Sequence, residues 1–361
     1  MRTTLTSLLS LTALALGIAA CGGATADFEP NGGGTDTENT GGAGGGDNED
    51  ESDAGTPDDA GPQEDGAVDD GGGQNEPPPP TIEFACPGGT IAAGSNKITV
   101  GSRDRTFLVD LPSDTSKPLG VVFAWHGYGD NANNFRSALG LDPNADSAHP
   151  LIVVTPEDAG LQPFQTPRGL DWDILAGKPG DDNIDIAFFE AMLGCLNEQY
   201  TLDTARIYSV GFSAGSVFTA LLHSRYPHLF AATVHFSGAW MNDSEETKLV
   251  PNFVPLTWSW PELDAADGGH VLLTHGGSSD AVGAMGFTLI NLEDAAKAAL
   301  PFLKAAGRTV VDCAHDEGHT LHPELSPAMV VKYLTAHRAG AASPFTNGLE
   351  GLPASCTLHE P

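Results

Sequence analysis

Ser213 lies in Gly211-Phe212-Ser213-Ala214-Gly215, between the run Ile207-Tyr208-Ser209-Val210 and an apolar stretch with helical spacing. That is the strand, turn and helix setting of a nucleophile elbow. Gly211 and Gly215 suit it for a steric reason, because a turn tight enough to raise Ser213 above a sheet leaves no room for side chains against the adjoining strand or helix. The helix that follows would aim its free N–H groups at negative charge developing beside the serine. A serine hydroxyl needs a base, and the base needs a carboxylate to fix its tautomer; elbow chemistry takes them in the chain order Ser, Asp, His. Asp280 ends Thr274-His275-Gly276-Gly277-Ser278-Ser279-Asp280, which follows one strand-like run, and Ala314-His315-Asp316-Glu317-Gly318-His319 follows the next. Asp280 is preferred to Asp264 and Asp267, which precede the strand at 271–274. His319 is preferred to His315 and His322, because Gly318 leaves space beside it in the loop before the last helix. After the run Val121 to Trp125 comes His126-Gly127-Tyr128-Gly129-Asp130, whose glycines let N–H groups turn inward. The expected oxyanion donors are the N–H groups of Tyr128 and Ala214, with Gly127 or Gly129 as alternatives to Tyr128. This acyl-transfer chemistry needs no metal or cofactor, and no Cys-x-x-Cys or regular Cys/His spacing points to zinc.

These groups require a frame that brings several strand ends together. Thr106 to Leu111, Val121 to Trp125, Leu151 to Thr155, Arg206 to Val210, Ala232 to Phe236, Val271 to Thr274 and Thr309 to Asp312 read as strands. Ile184 to Leu196, Ala214 to Ser224, Leu292 to Ala306 and a segment near Pro327 to His337 read as helices. The alternation predicts an α/β fold with a mostly parallel central sheet and helices on both faces. Specificity is expected from the insertion Met241 to Gly269, where Phe253, Trp258 and Trp260 could shape a pocket or simply pack; Trp172 is a further pocket candidate.

The rest of the chain has other work. Of 361 residues, 48 are acidic and 16 basic, a formal net charge of -32. Residues 22–80 contain 16 acidic residues, 16 Gly and 7 Pro without Lys or Arg, and so cannot bury a core. They read as a disordered tether with a reach of about 40–46 Å. Residues 1–21 combine Arg2, an apolar stretch and small residues ending at Cys21, the pattern of an export signal. The tetrad Ile18-Ala19-Ala20-Cys21 resembles the bacterial lipoprotein box, which implies lipidation of Cys21 and a membrane held through the anchor alone. Gly22 after that cysteine implies, by the same resemblance, the outer membrane or cell surface. Residues 81–361 then form one catalytic domain, expected to be a monomer. The acidic balance excludes nucleic acid as a partner.

An exported chain can keep disulfides. Beyond Cys21, the cysteines Cys86, Cys195, Cys313 and Cys356 allow three pairings. Cys86 and Cys356 lie near opposite ends of the domain, which favours a bond between them and a second between Cys195 and Cys313.

Taken together, Trp125-His126-Gly127-Tyr128-Gly129-Asp130, the elbow at Ser213, the Asp280 loop and Gly318-His319-Thr320-Leu321-His322-Pro323 resemble the exported α/β-hydrolases grouped as feruloyl esterases and polyhydroxybutyrate depolymerases, over about residues 84–338. The pattern differs in a longer acidic loop at Asp280 and in the lack of an aromatic between His319 and Pro323. The resemblance implies an α/β-hydrolase fold, a triad of Ser213, Asp280 and His319, and hydrolysis of small or polymeric carboxylic esters: hydroxycinnamate esters, acetylated polysaccharide or short polyester. The other readings of these residues are a peptidase, lipase or thioesterase on the same elbow, or a binding protein that keeps the scaffold without catalysis.

Overall fold

The computed structural model describes residues 78–160, 169–242, 258–263, 269–284 and 287–361. The export segment, Cys21, the tether up to residue 77, Phe253, Asp264 and Asp267 lie outside the described residues. Along the chain come strands β1 (Gly94–Val100), β2 (Arg103–Asp110) and β3 (Leu119–Trp125), helix α1 (Ala132–Leu139), β4 (Leu151–Pro156), and the two-residue strands β5 (Gly169–Leu170) and β6 (Trp172–Asp173). Helix α2 (Ile184–Gln199), β7 (Leu202–Phe212), α3 (Ala214–Arg225), β8 (Phe230–Phe236) and β9 (His270–His275) follow. The chain closes with β10 (Ala281–Ala284), β11 (Phe287–Asn291), α4 (Leu292–Ala305), β12 (Thr309–Ala314), α5 (Pro327–Thr335) and β13 (Cys356–His359).

Every residue of β3 is buried. Val121, Phe123 and Trp125 enter one core and Val122 and Ala124 the other, the pattern of a strand covered on both sides. The main sheet has nine strands in the order β1-β2-β4-β3-β7-β8-β9-β12-β13. Strands β4, β3, β7, β8, β9 and β12 run parallel, whereas β1, β2 and β13 are antiparallel to their neighbours. Helices α2, α3 and α4 pack one face through Phe188, Phe189, Phe218, Leu221 and Ala295. Helices α1 and α5 cover the other through Phe135, Val330, Val331 and Tyr333. This is the α/β-hydrolase arrangement, with a mostly parallel sheet between helical layers.

The structure adds elements at the margins. In β1, buried Asn96 and Ile98 alternate with exposed Lys97 and Thr99, so an edge strand carries too few apolar residues to stand out as a run. The segment after Asp280, expected as a loop, is the β10–β11 hairpin.

The disulfides pair differently from the expectation. Cys86 is bonded to Cys195 and Cys313 to Cys356. The expected Cys86–Cys356 bond fails because β13 lies at the far edge of the sheet, while Cys86 lies against α2, the helix that packs near β1. Cys195 is on the buried side of α2, and Cys313 and Cys356 face each other directly in the β12–β13 register.

Two of the buried histidines, His235 and His337, are pushed far from their ordinary value. Burial pushes His235 down to about 3, against a weaker opposing contribution from the Ser216 backbone. Burial, aided by neighbouring His270, pushes His337 down to about 3 as well, while its Nδ1–H donates to the Tyr333 carbonyl at 2.7 Å. Both stay neutral in the fold but take a proton when unfolded below about 6.5. The stability they confer is therefore complete above that pH and is lost as the pH falls from about 6.5 toward 3. Urea unfolding followed from about pH 6.5 to 5 should show a loss of roughly 1.4 kcal/mol per pH unit for each histidine, and His337→Gln should remove one of the two contributions. A flat stability profile over that interval would contradict this assignment.

Candidate active site

The loops after β3, β7, β9 and β12 all leave the sheet at its carboxyl end, where open α/β sheets place their ligand crevice. At the end of β7 the chain reverses sharply into α3. Ser213 has φ 53 and ψ -120, a conformation side-chain-bearing residues seldom adopt, and its N–H donates to the Phe236 carbonyl at 2.9 Å. The flanking glycines are required by contact. A Cβ on Gly211 would overlap the Gly215 backbone, and one on Gly215 would overlap the carbonyls of Trp125 and His126. The elbow is thus wedged between its own helix and the end of β3.

His319 links the elbow to a buried carboxylate. Its Nε2 lies 2.9 Å from Ser213 Oγ and its Nδ1 2.7 Å from Asp280 Oδ1. The structure brings His319 to the serine rather than His315 or His322. The His315 Nδ1 accepts from the Glu317 N–H, and the His322 Nε2 contacts the Ser355 hydroxyl. Two backbone bonds, from the His315 N–H to the His275 carbonyl and from the Gly318 N–H to the Gly276 carbonyl, tie the loop after β12 to the loop after β9. A Cβ on Gly276 would collide with the Gly318 carbonyl, so glycine there is what lets the two loops close. His319 also packs its ring on Phe212, with centroids 4.8 Å apart.

Asp280 is fully buried. Burial alone raises its carboxyl, but hydrogen bonds from His319, the Gly276 N–H and the Ser237 hydroxyl together outweigh it and hold the group below its ordinary value. The last two stand at 2.8 Å from Oδ2, leaving Oδ1 to the histidine.

The loop after β3 lies against the elbow: a Cβ on Gly127 would sit 3.4 Å from the Ser213 Cβ. Ala214 is the first residue of α3, so its N–H has no carbonyl one turn earlier in the helix to bond. The segment 171–172 clamps the same loop at two points. Asp171, at φ 60, accepts the Gly129 N–H at 2.5 Å, and the Trp172 indole N–H donates to the His126 carbonyl at 2.8 Å. Burial raises the Asp171 carboxyl against the bond from Gly129, and the charges of Asp158 and Glu157 add to the rise.

The pocket expectation for the tryptophans changes accordingly. Trp172 is 1% exposed and packs on Trp125 and Phe218. Trp260 is buried, and its N–H donates to the Ile174 carbonyl at 2.7 Å. Both are core residues, because each indole satisfies its N–H on a buried carbonyl. Trp258 is half-buried, edge-on to Trp260.

No metal was expected, yet His126, Glu157 and Asp158 bring three possible ligand atoms within 4.8 Å of one another beneath the loop after β3. Ser237, Asp171 and His126 also escaped the sequence reading. Ser237 and His126 had a local signal, their places directly after β8 and β3 at the sheet's carboxyl end; Asp171 had none.

Residues 107–248 match the family model described as Esterase PHB depolymerase. That span contains the loop after β3 and the elbow, but neither Asp280 nor His319. Feruloyl esterase D of Neurospora crassa is 26% identical over 170 residues, covering 44% of this chain and 57% of that protein. Acetylxylan esterase A of Emericella nidulans is 27% identical over 150 residues, covering 40% and 44%. The chain thus spans roughly half the length of these curated relatives. The crystal structure of native sOPH superposes with a TM-score of 0.61 at 20% identity, covering 76% of this chain and 97% of that one, a likeness of fold. The chain is related to the fungal feruloyl and acetylxylan esterases and to the family of that model.

The Ser237 contact can be tested without reference to activity. Ser237→Ala removes one of the donors to a fully buried carboxylate, which costs about 1.5–3 kcal/mol for a hydrogen bond to a charged group. Urea unfolding at neutral pH should show that loss, and an NMR titration should show the Asp280 carboxyl moving upward. Unchanged stability would mean that the contact carries no weight.

Proposed function

We propose that this chain is a serine carboxylic-ester hydrolase working through an acyl-serine intermediate. The observation that carries the reading is the continuous chain from Ser213 Oγ to His319 Nε2 at 2.9 Å and from His319 Nδ1 to Asp280 Oδ1 at 2.7 Å, starting at a strained elbow. His319 takes the Ser213 proton on Nε2 as Oγ attacks the ester carbonyl, while Asp280 accepts the Nδ1–H and offsets the charge of the imidazolium. The resulting oxyanion is held by the N–H groups of Tyr128 and Ala214, where one such donor contributes about 3 kcal/mol to transition-state stabilisation. His319 then gives its proton to the departing alcohol. Water enters, loses a proton to Nε2 and attacks the acyl carbon, and the returning proton restores Ser213 as the acid leaves.

The relatives' names supply the substrate proposal: feruloyl or acetyl groups esterified to polysaccharide, or short polyhydroxyalkanoate esters. With Trp172 and Trp260 in the core, half-buried Trp258 is the remaining tryptophan candidate for contact with the acyl group. The domain plan proposed with this activity is an export signal at 1–21, lipidation at Cys21, an acidic tether at 22–80 and the hydrolase at 81–361, which would hold the active site at a membrane through a flexible spacer.

Release of nitrophenol from its acetyl and butyryl esters should fall at least ~10³-fold in both Ser213→Ala and His319→Ala, with the folded state unchanged by circular dichroism. Activity retained in Ser213→Ala would end the proposal. A panel of acetyl, feruloyl, hydroxybutyrate-oligomer and peptide substrates should show hydrolysis of the esters and none of the peptide.

A further inference from the structure

Behind the loop after β3 lies a second constellation that the ester chemistry does not use. β3 and β4 are parallel neighbours, so the residues that follow them emerge side by side: His126 after β3, Glu157 and Asp158 after β4. His126 is 0% exposed. Its Nδ1–H donates to the Gly127 carbonyl at 2.9 Å, so in the neutral imidazole the lone pair is on Nε2. Among the described residues, that Nε2 has no hydrogen-bond partner. It faces Glu157 Oε1 at 3.7 Å and Asp158 Oδ2 at 3.9 Å, both too long for hydrogen bonds.

The two carboxylates are arranged alike. Glu157 spends Oε2 on the Ala132 N–H at 3.1 Å, and Asp158 spends Oδ1 on the Gly160 N–H. Each therefore keeps one oxygen turned toward the imidazole. A lone pair on a buried imidazole and two anionic oxygens on half-buried carboxylates repel one another unless a positive charge stands between them. Three donor atoms from three side chains, each with its other polar atom already held by backbone, is the way proteins orient metal ligands. The separations from Nε2 also fit: two ligands on one tetrahedral ion with bonds near 2.0–2.1 Å stand about 3.4 Å apart, against 3.7 and 3.9 Å here, with all three atoms within 4.8 Å of one another.

The geometry points to a divalent metal site formed by His126 Nε2, Glu157 Oε1 and Asp158 Oδ2, for an ion of the zinc, cobalt or manganese class that accepts imidazole beside carboxylate. Its three ligands leave room for water on the ion, and no substrate atom is required to reach it. A cation there would cancel the two carboxylate charges and fasten the end of β4 to the loop carrying Tyr128.

The test uses the full chain, stripped with a chelator and titrated with Zn²⁺ by calorimetry. One tight equivalent per chain should stand out above weak, multiple binding to the acidic segment 22–80. The double variant Glu157→Gln, Asp158→Asn keeps that segment, and its tight site should weaken about 100-fold or more. Saturating Zn²⁺ should raise the melting temperature of the wild type but not of the double variant. A measurement needing no variant is the ¹⁵N spectrum of histidine-labelled protein, in which Zn²⁺ should shift the Nε2 of one histidine whose Nδ1 remains protonated. Absence of a tight equivalent in the wild type, its persistence in the double variant, or a histidine spectrum unchanged by Zn²⁺ would each overturn the site.

Discussion

How closely α3 can follow β7 sets the terms for the rest of the molecule. The reversal at Ser213 places the elbow backbone against the carbonyls that end β3, so Gly211 and Gly215 are compulsory and Ser213 is held in a costly conformation. Strain of this kind, about 1–3 kcal/mol, persists only where the surroundings over-determine it. Here they do: the Ser213 N–H bonds to the Phe236 carbonyl, and the start of α3 packs against β7 and β8. A parallel sheet supplies such a frame because its helical crossovers return the chain each time in the same direction, delivering the ends of β3, β7, β9 and β12 to one edge.

The parts legible in the sequence are those with a steric or burial signature of their own. β3 was readable because both its faces are buried and its residues are apolar throughout. The elbow was readable because backbone crowding demands glycines at fixed spacing. The parts that were not legible depend on what lies across space. Cys313 pairs with Cys356 because an antiparallel edge strand sets them opposite each other, and neither residue advertises that register locally. Trp172 carries a polar N–H and sits between two aspartates, as a cleft residue might; only the His126 carbonyl beneath it makes it a core residue.

The site is held by loops tied to one another rather than by loops that are individually stiff. The β12 loop hangs from the β9 loop by two backbone bonds, and the β3 loop is clamped by Asp171 and Trp172. Asp171, like Ser213, takes a positive φ, which its short polar side chain tolerates while bonding the Gly129 N–H. The consequence is that His319 and the β3 loop are positioned from either flank of the elbow in the strand order, and each flank has its own anchoring carboxylate, Asp280 and Asp171.

Those two carboxylates differ in how their charge is met, and the difference explains why one end of the site is self-sufficient and the other is not. Asp280 is fully buried yet carries its charge easily, because Ser237, Gly276 and His319 all donate to it. Asp171 has one backbone donor, so burial leaves its carboxyl raised, and it lies within the field of Asp158 and Glu157, whose charges oppose its own and outweigh the contrary contribution of His126. Uncompensated carboxylates in low dielectric either take up protons or recruit cations. The side of the site that holds the β3 loop is therefore the side where added positive charge does most, and His126 is the residue whose free nitrogen points into it.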